Sequence, residues 1–202
     1  MTTQQTSQSA TRQQLRKQIR SLRRSLTPEH QQRASEDLLR NIRQRQDFRR
    51  AKNVAVYLSS DGEINPKPLI ELCWKLGKRV YLPVLHPLLH NRLWFVPYTP
   101  RTQMIRNIYN IEEPKLIPAQ RRSAWALDLV LLPLVAFDAE GNRMGMGGGY
   151  YDRTFSFKSL RKGMKGPDLI GLAHEIQKVD KLPVEGWDIP LTAIVSDARS
   201  YP

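Results

Sequence analysis

Cysteine is all but missing from this sequence. Cys73 is the only one, so no internal disulfide can form, which suits a reducing compartment. Long apolar runs are missing too. None reaches the ~20 residues that cross a bilayer, so the sequence offers no candidate span and no membrane partner is expected. Met1 to Ala10 is polar and lacks the apolar stretch of a secretory signal. It is expected to be a disordered tail, and the protein is expected to be cytoplasmic. Acidic residues are scarce: 19 Asp and Glu face 32 Lys and Arg, a net charge of +13.

What remains is ordinary for a globular chain. Apolar residues make up 40% of 202 residues, enough for one domain with a sizeable core. The charge is uneven: residues 1–50 hold 12 Lys and Arg against 4 Asp and Glu, and the rest carry only +5. A basic N-terminal third points to an anionic partner, whether nucleic acid, nucleotide phosphate or a polycarboxylate. A solvated basic helix face would look the same.

Leu15, Ile19, Leu22 and Leu26 recur at steps of three and four, which predicts an amphipathic helix over 11–26. Thr27-Pro28 restarts a second helix with Leu38, Leu39, Ile42 and Phe48 on its apolar face. From Asn53 onward the pattern changes. Strands are predicted at 54–59, 78–82, 93–98, 128–138, 168–173 and 191–197, and helices at 66–76 and 150–161. The Pro-punctuated stretch 99–124 reads as a long loop, a feature often functional in a compact domain. Alternating strands and helices predict a single α/β, Rossmann-like domain over 11–202, with a mostly parallel sheet flanked by helices. Residues 11–50 would form a basic two-helix arm on it.

The densest signal is Gly141 to Asp152, with five glycines in its first nine residues. It lies between an apolar strand and a predicted helix. There, successive backbone N–H groups can converge on a phosphate, aided by the helix dipole. It follows neither common nucleotide rule. No Lys-Ser/Thr follows the glycines as in a P-loop, and Tyr150 stands where a dinucleotide fingerprint starting at Gly145 needs its third glycine. Asp152 can hold a magnesium ion between itself and phosphate, or simply complement the helix dipole.

Asn142-Arg143-x-Gly145-x-Gly147-x-Gly149-Tyr150-Tyr151-Asp152 resembles the signature of 5-formyltetrahydrofolate cyclo-ligases. Four further blocks resemble the family in order. They are Arg12 with Arg16, Val56 to Ile64 around Glu63, Tyr109 ahead of Ile111-x-x-Pro114, and Pro183 to Asp188. The resemblance implies a cytoplasmic ligase of one-carbon metabolism that uses ATP and Mg²⁺. It would turn 5-formyltetrahydrofolate into 5,10-methenyltetrahydrofolate, releasing ADP and phosphate.

By the same resemblance, Arg12, Arg16 and the stretch Arg143, Met144, Gly145, Met146, Gly147, Gly148, Gly149, Tyr150 and Tyr151 would bind ATP. Leu58, Glu63 and Tyr109, with Met146 to Tyr150, would bind the folate. Arg143 and Tyr150 are the catalytic candidates, and Asp152 and Asp188 the metal ligands. Arg12 stands where the family often has Lys. Met146 and Gly148 stand where some members carry a basic residue, which shifts the grip on phosphate to backbone and Arg143. Each residue also has a plainer reading: Leu58 as core, Glu63 and Tyr109 as solvent-facing loop, Asp188 as a turn cap. His174 and Cys73 are read as packing residues. The charge suits polyglutamylated folate, and a monomer is expected. Two alternatives stay open. One is another nucleotide-dependent, kinase-like α/β enzyme. The other is nucleic-acid binding through Arg12, Arg16, Lys17, Arg20, Arg23 and Arg24, although that helix carries no base-reading motif and no nucleic-acid partner is expected.

Overall fold

The computed structural model describes residues 2–160, 166–183 and 185–202. Three helices come first: α1 (Thr2–Arg24), α2 (Pro28–Arg43) and α3 (Gln46–Arg50). The backbone of α1 therefore includes Thr2 to Ala10 of the stretch expected to be a disordered tail, and Met1 lies outside the described residues. Thr27 caps α2 by accepting the His30 N–H at 3.3 Å, with Pro28 in the first turn. The predicted second helix breaks after Arg43, and Phe48 belongs to α3.

Then follow β1 (Asn53–Ala55), α4 (Lys67–Lys75), β2 (Arg79–Leu85), β3 (Leu93–Pro97), β4 (Met104–Arg106) and β5 (Glu112–Pro114). The chain continues through β6 (Leu129–Pro133), β7 (Ala136–Phe137), β8 (Arg143–Met144), α5 (Tyr150–Phe155), α6 (Phe157–Leu160), β9 (Asp168–Ala173), β10 (Ala193–Ser196) and β11 (Ser200–Tyr201). The stretch 99–124 is thus more than a loop: β4 and β5 pair as a hairpin with Tyr109 in its tip. The run 128–138 splits into β6 and β7, and the predicted helix 150–161 into two short helices as far as Leu160, with Arg161 outside the described residues.

Seven strands form the main sheet in the order β11-β10-β9-β6-β1-β2-β3. The five inner strands are parallel, and β3 and β11 close the edges antiparallel. This is the expected single α/β domain with a mostly parallel sheet. Strand residues alternate between two cores. Val54, Leu129, Leu131, Ile170 and Val195 face Leu38 and Ile42 of α2, Phe48, and Leu69 and Cys73 of α4. Ala55, Val130, Leu132 and Leu169 face Phe155 of α5 and Ile189. Burial raises the Cys73 thiol to about 12, so it packs as an inert group. Helix α1 lies apart, with Ile19 against Val135, Ala136 and Met144 of the β7–β8 hairpin.

The chain moves from β1 to β2 in one direction and later returns to place β6 on the other side of β1. A crevice at the carboxyl ends of strands is expected at such a reversal.

Candidate active site

A cleft of about 1370 Å³ opens at that reversal. Its floor is Leu58 after β1, Leu82 and Pro83 of β2, and Pro133 at the end of β6. Single small-molecule sites usually span about 300–1,000 Å³, so this cleft has room for two substrates.

The glycine loop forms one wall. Strand alternation sets its start. Arg143 turns to the cleft, while Met144 turns inward to pack on Ile19 and accepts the Val135 N–H at 2.7 Å. Gly147 and Gly149 hold φ of +98° and +65°, and a Cβ on Gly148 would lie 2.9 Å from the Tyr150 ring. Side chains at these positions would force the loop to rearrange. Helix α5 has only six residues, so the loop backbone, more than a helix dipole, offers the donors.

Arginines converge on this wall. Arg16 Nε donates to the Gly145 carbonyl at 2.9 Å. Burial, then the like charge of Arg12, lowers the Arg16 pKa from its ordinary value. Arg12 Nη1 donates to the Pro183 carbonyl at 2.7 Å and lies 3.6 Å from Asp188. Arg143 Nη2 donates to Asp152 Oδ1 at 2.5 Å. Arg143 is 8% exposed, and its Nε is buried without a hydrogen-bond partner among the described residues. Such an orphan donor is costly unless something fills it.

The other wall comes from the segment after β1 and from the β4–β5 hairpin. Glu63 Oε2 accepts the Ser60 N–H at 3.0 Å. Burial raises the Glu63 pKa, opposed by the Ser60 N–H and the Arg23 charge. The Tyr109 and Tyr150 hydroxyls are 2.7 Å apart with their rings edge to face. Burial, then the Tyr109 hydrogen bond, lifts Tyr150 to about 12.

A model of the 5-formyltetrahydrofolate cyclo-ligase family matches residues 8–197. The chain belongs to that family. The cyclo-ligase of Escherichia coli K12 is 45% identical over 183 residues, covering 91% of this chain and 98% of its own. That of Haemophilus influenzae is 44% identical, covering 91% and 96%. The solved 5,10-methenyltetrahydrofolate synthetase of Aquifex aeolicus superposes with a TM-score of 0.78 at 29% identity, covering 94% of this chain and 91% of that one. As a cyclo-ligase, the protein converts 5-formyltetrahydrofolate to 5,10-methenyltetrahydrofolate using ATP. No helix among the described residues is long and apolar enough to cross a membrane.

The residues singled out by the cyclo-ligase resemblance gather in this one cleft, from Arg12 and Arg16 through Leu58, Glu63, Tyr109 and the loop to Asp152 and Asp188. The exception is Met144, whose side chain is core. Sequence reasoning missed Arg92, Arg153, Trp187 and Asp61, which also line the cleft. Only Trp187 and Arg153 had a signal, as chain neighbours of Asp188 and Asp152. Four of the five arginines in the helix stripe, Arg12, Arg16, Arg20 and Arg23, are at least partly buried against the protein. His174 is buried, 3.3 Å from the Gly62 carbonyl, as a packing residue would be.

Proposed function

We propose that the Arg12–Arg16–Arg143 wall and the loop 145–149, with Tyr151 behind it, hold the ATP phosphates, and that Leu58, Glu63 and Tyr109 hold the folate across from them. The observation that carries this reading is the buried Nε of Arg143, without a hydrogen-bond partner among the described residues, beside the glycine loop. A guanidinium with a spare buried donor suits an anion such as phosphate.

The reaction then follows from placement. The formyl oxygen is a poor leaving group, so it first attacks the γ-phosphorus and ADP departs. N10 attacks the activated formyl carbon, phosphate leaves with the old carbonyl oxygen, and the N10 proton is lost. The five-membered ring is closed. Phosphoryl transfer of this kind needs alignment and charge neutralisation more than covalent help. Arg143 is assigned to the transferred phosphoryl group. Tyr150, raised to about 12, keeps its proton and serves as a hydrogen-bond partner, not a base.

Asp152 and Asp188 fit a magnesium ion. No cluster of three or more His, Cys, Asp or Glu suited to a metal occurs among the described residues. Magnesium needs no such cage, because one or two carboxylates plus phosphates and water complete its shell. Asp152 uses Oδ1 for Arg143 and for the Ile189 N–H, which leaves Oδ2 for a cation. Asp152 and Asp188 would hold the ion, which when bound would neutralise phosphate charge.

Arg92 and Arg153 in the cleft lining support a preference for polyglutamylated folate. A lone buried thiol supports a cytoplasmic setting. The test is an omission assay with 5-formyltetrahydrofolate, ATP and Mg²⁺. The near-ultraviolet chromophore of the methenyl product should form only with all three present. ADP release without that chromophore would favour a kinase-like reaction instead.

A further inference from the structure

Helix α1 ends on the segment that carries Glu63. Arg23, on the last turn, is 1% exposed. Its Nε donates to the Asp61 carbonyl at 2.8 Å, its Nη2 to Asp61 Oδ2 at 2.8 Å, and its Nη1 to the Leu134 carbonyl at 3.3 Å. The same Nη1 lies 3.9 Å from Glu63 Oε1. The segment cannot drift from the helix. Asp61 and Gly62 hold φ of +50° and +74°, and a Cβ on Gly62 would sit 2.8 Å from the Arg23 carbonyl oxygen.

Arg23 lines no part of the cleft, yet it is the cation that faces Glu63 from beneath. The other groups facing Glu63 are Asp61 and Ser60 on its own segment, Tyr57 after β1, and Tyr151 of α5. Three of these, Asp61, Tyr57 and Tyr151, are acidic or can only become so, and burial itself opposes charge on Glu63. Tyr57 is fixed elsewhere, donating to the Ile64 carbonyl at 2.9 Å.

We propose that Arg23 is a positioning residue for folate recognition: its three-way clamp on Asp61 and Leu134 fixes the Glu63 segment and holds the Glu63 carboxyl at the cleft. This rests on the reading of Glu63 as a folate contact. Arg12, Arg16, Arg20 and Arg23 step along one face of α1 at spacings of four, four and three. One rigid helix thus joins the phosphate wall to the folate wall.

The test uses the full-length enzyme with Arg23→Met, Arg23→Lys, Glu63→Gln and the double variant Arg23→Met/Glu63→Gln. KM for each substrate and the pH profile of kcat/KM for the folate are measured. A carboxylate acceptor is lost as pH falls through its pKa, and removing the neighbouring cation raises that pKa. Arg23→Met should therefore move the acid limb to higher pH and raise the folate KM about tenfold, with the ATP KM within about twofold. Glu63→Gln should raise the folate KM and abolish that limb, and adding Arg23→Met to it should cost little more. Arg23→Lys keeps the charge and loses the fork, so the limb should stay while the folate KM rises several-fold. If Arg23→Met does not fold, as removing one side of a buried ion pair allows, Arg23→Lys decides alone. An unchanged folate KM, or equal rises in both KM values, in the variant that folds overturns the proposal. If Glu63→Gln itself leaves the folate KM unchanged, the folate role of Glu63 falls and the proposal falls with it.

Discussion

Arg143 Nη2 and the Ile189 N–H both donate to one oxygen, Asp152 Oδ1, at 2.5 and 3.2 Å. A single carboxylate thus ties the start of the glycine loop to the segment that presents Asp188. Asp152→Asn keeps an acceptor for Ile189 but removes the charge. Turnover should fall by about 10²-fold or more, the scale of losing one electrostatic element of a transfer site. The thermal midpoint should fall as well, because the buried Arg143 guanidinium loses its anionic partner, so turnover is compared at a temperature where both proteins are folded. Product absorbance and a melt on the same sample check both. Full activity would reduce Asp152 to a structural group.

Tyr109 reaches Tyr150 from the tip of the β4–β5 hairpin. Tyr109→Phe removes that bond and keeps the ring. A hydrogen bond near a substrate is worth about 1 kcal/mol, so the folate KM should rise roughly fivefold. The ATP KM should stay put. Steady-state kinetics with each substrate varied in turn separates the two.

Gly147 holds a φ of +98° beside the Arg16 guanidinium. Gly147→Ala would pull the backbone out of that region, at a cost of about 1–2 kcal/mol, and swing the loop N–H groups off line. The ATP KM should rise about tenfold, while folate binding measured without ATP should change little. Isothermal titration with each substrate alone reads this directly.

Asp61 contributes to the acid response of the fold. Burial would raise its carboxyl, but hydrogen bonds from Arg20 and Arg24, with the charges of Arg20 and Arg23, bring it down to about 2. An unfolded aspartate titrates at about 3.9. The folded state therefore binds fewer protons, and the stability this adds above about pH 4 is lost as pH falls toward about 2. Asp61→Asn should lower the neutral-pH midpoint and flatten the slope across that window. Thermal melts against pH test it. An unchanged slope would place the acid response elsewhere.

The central strands were legible because apolar residues such as Val54, Leu129 and Leu131 cluster in short runs between turn residues. The loop 145–149 was legible because its glycines are dense and the motif is specific. The β4–β5 hairpin was not. Each strand has three residues with little alternation, and its partner is Tyr150 far along the chain. Arg23 was hidden for another reason. In a stretch where Arg16, Lys17, Arg20 and Arg24 are also basic, one-dimensional periodicity cannot separate a buried cation from a solvated one. Only the return of Asp61 and Leu134 onto the helix identifies it. The inward turn of the Met144 side chain was not legible because a motif treats neighbours alike, whereas strand alternation sends Arg143 and Met144 to opposite faces.

The most direct measurement is a crystal structure with Mg²⁺ and a non-hydrolysable ATP analogue. The phosphates should lie on the backbone N–H groups of residues 147–149, with Arg143 Nε newly paired to an oxygen and the cation between Asp152 and Asp188. An analogue seated elsewhere, with Arg143 Nε still unpaired and the loop untouched, would contradict the account.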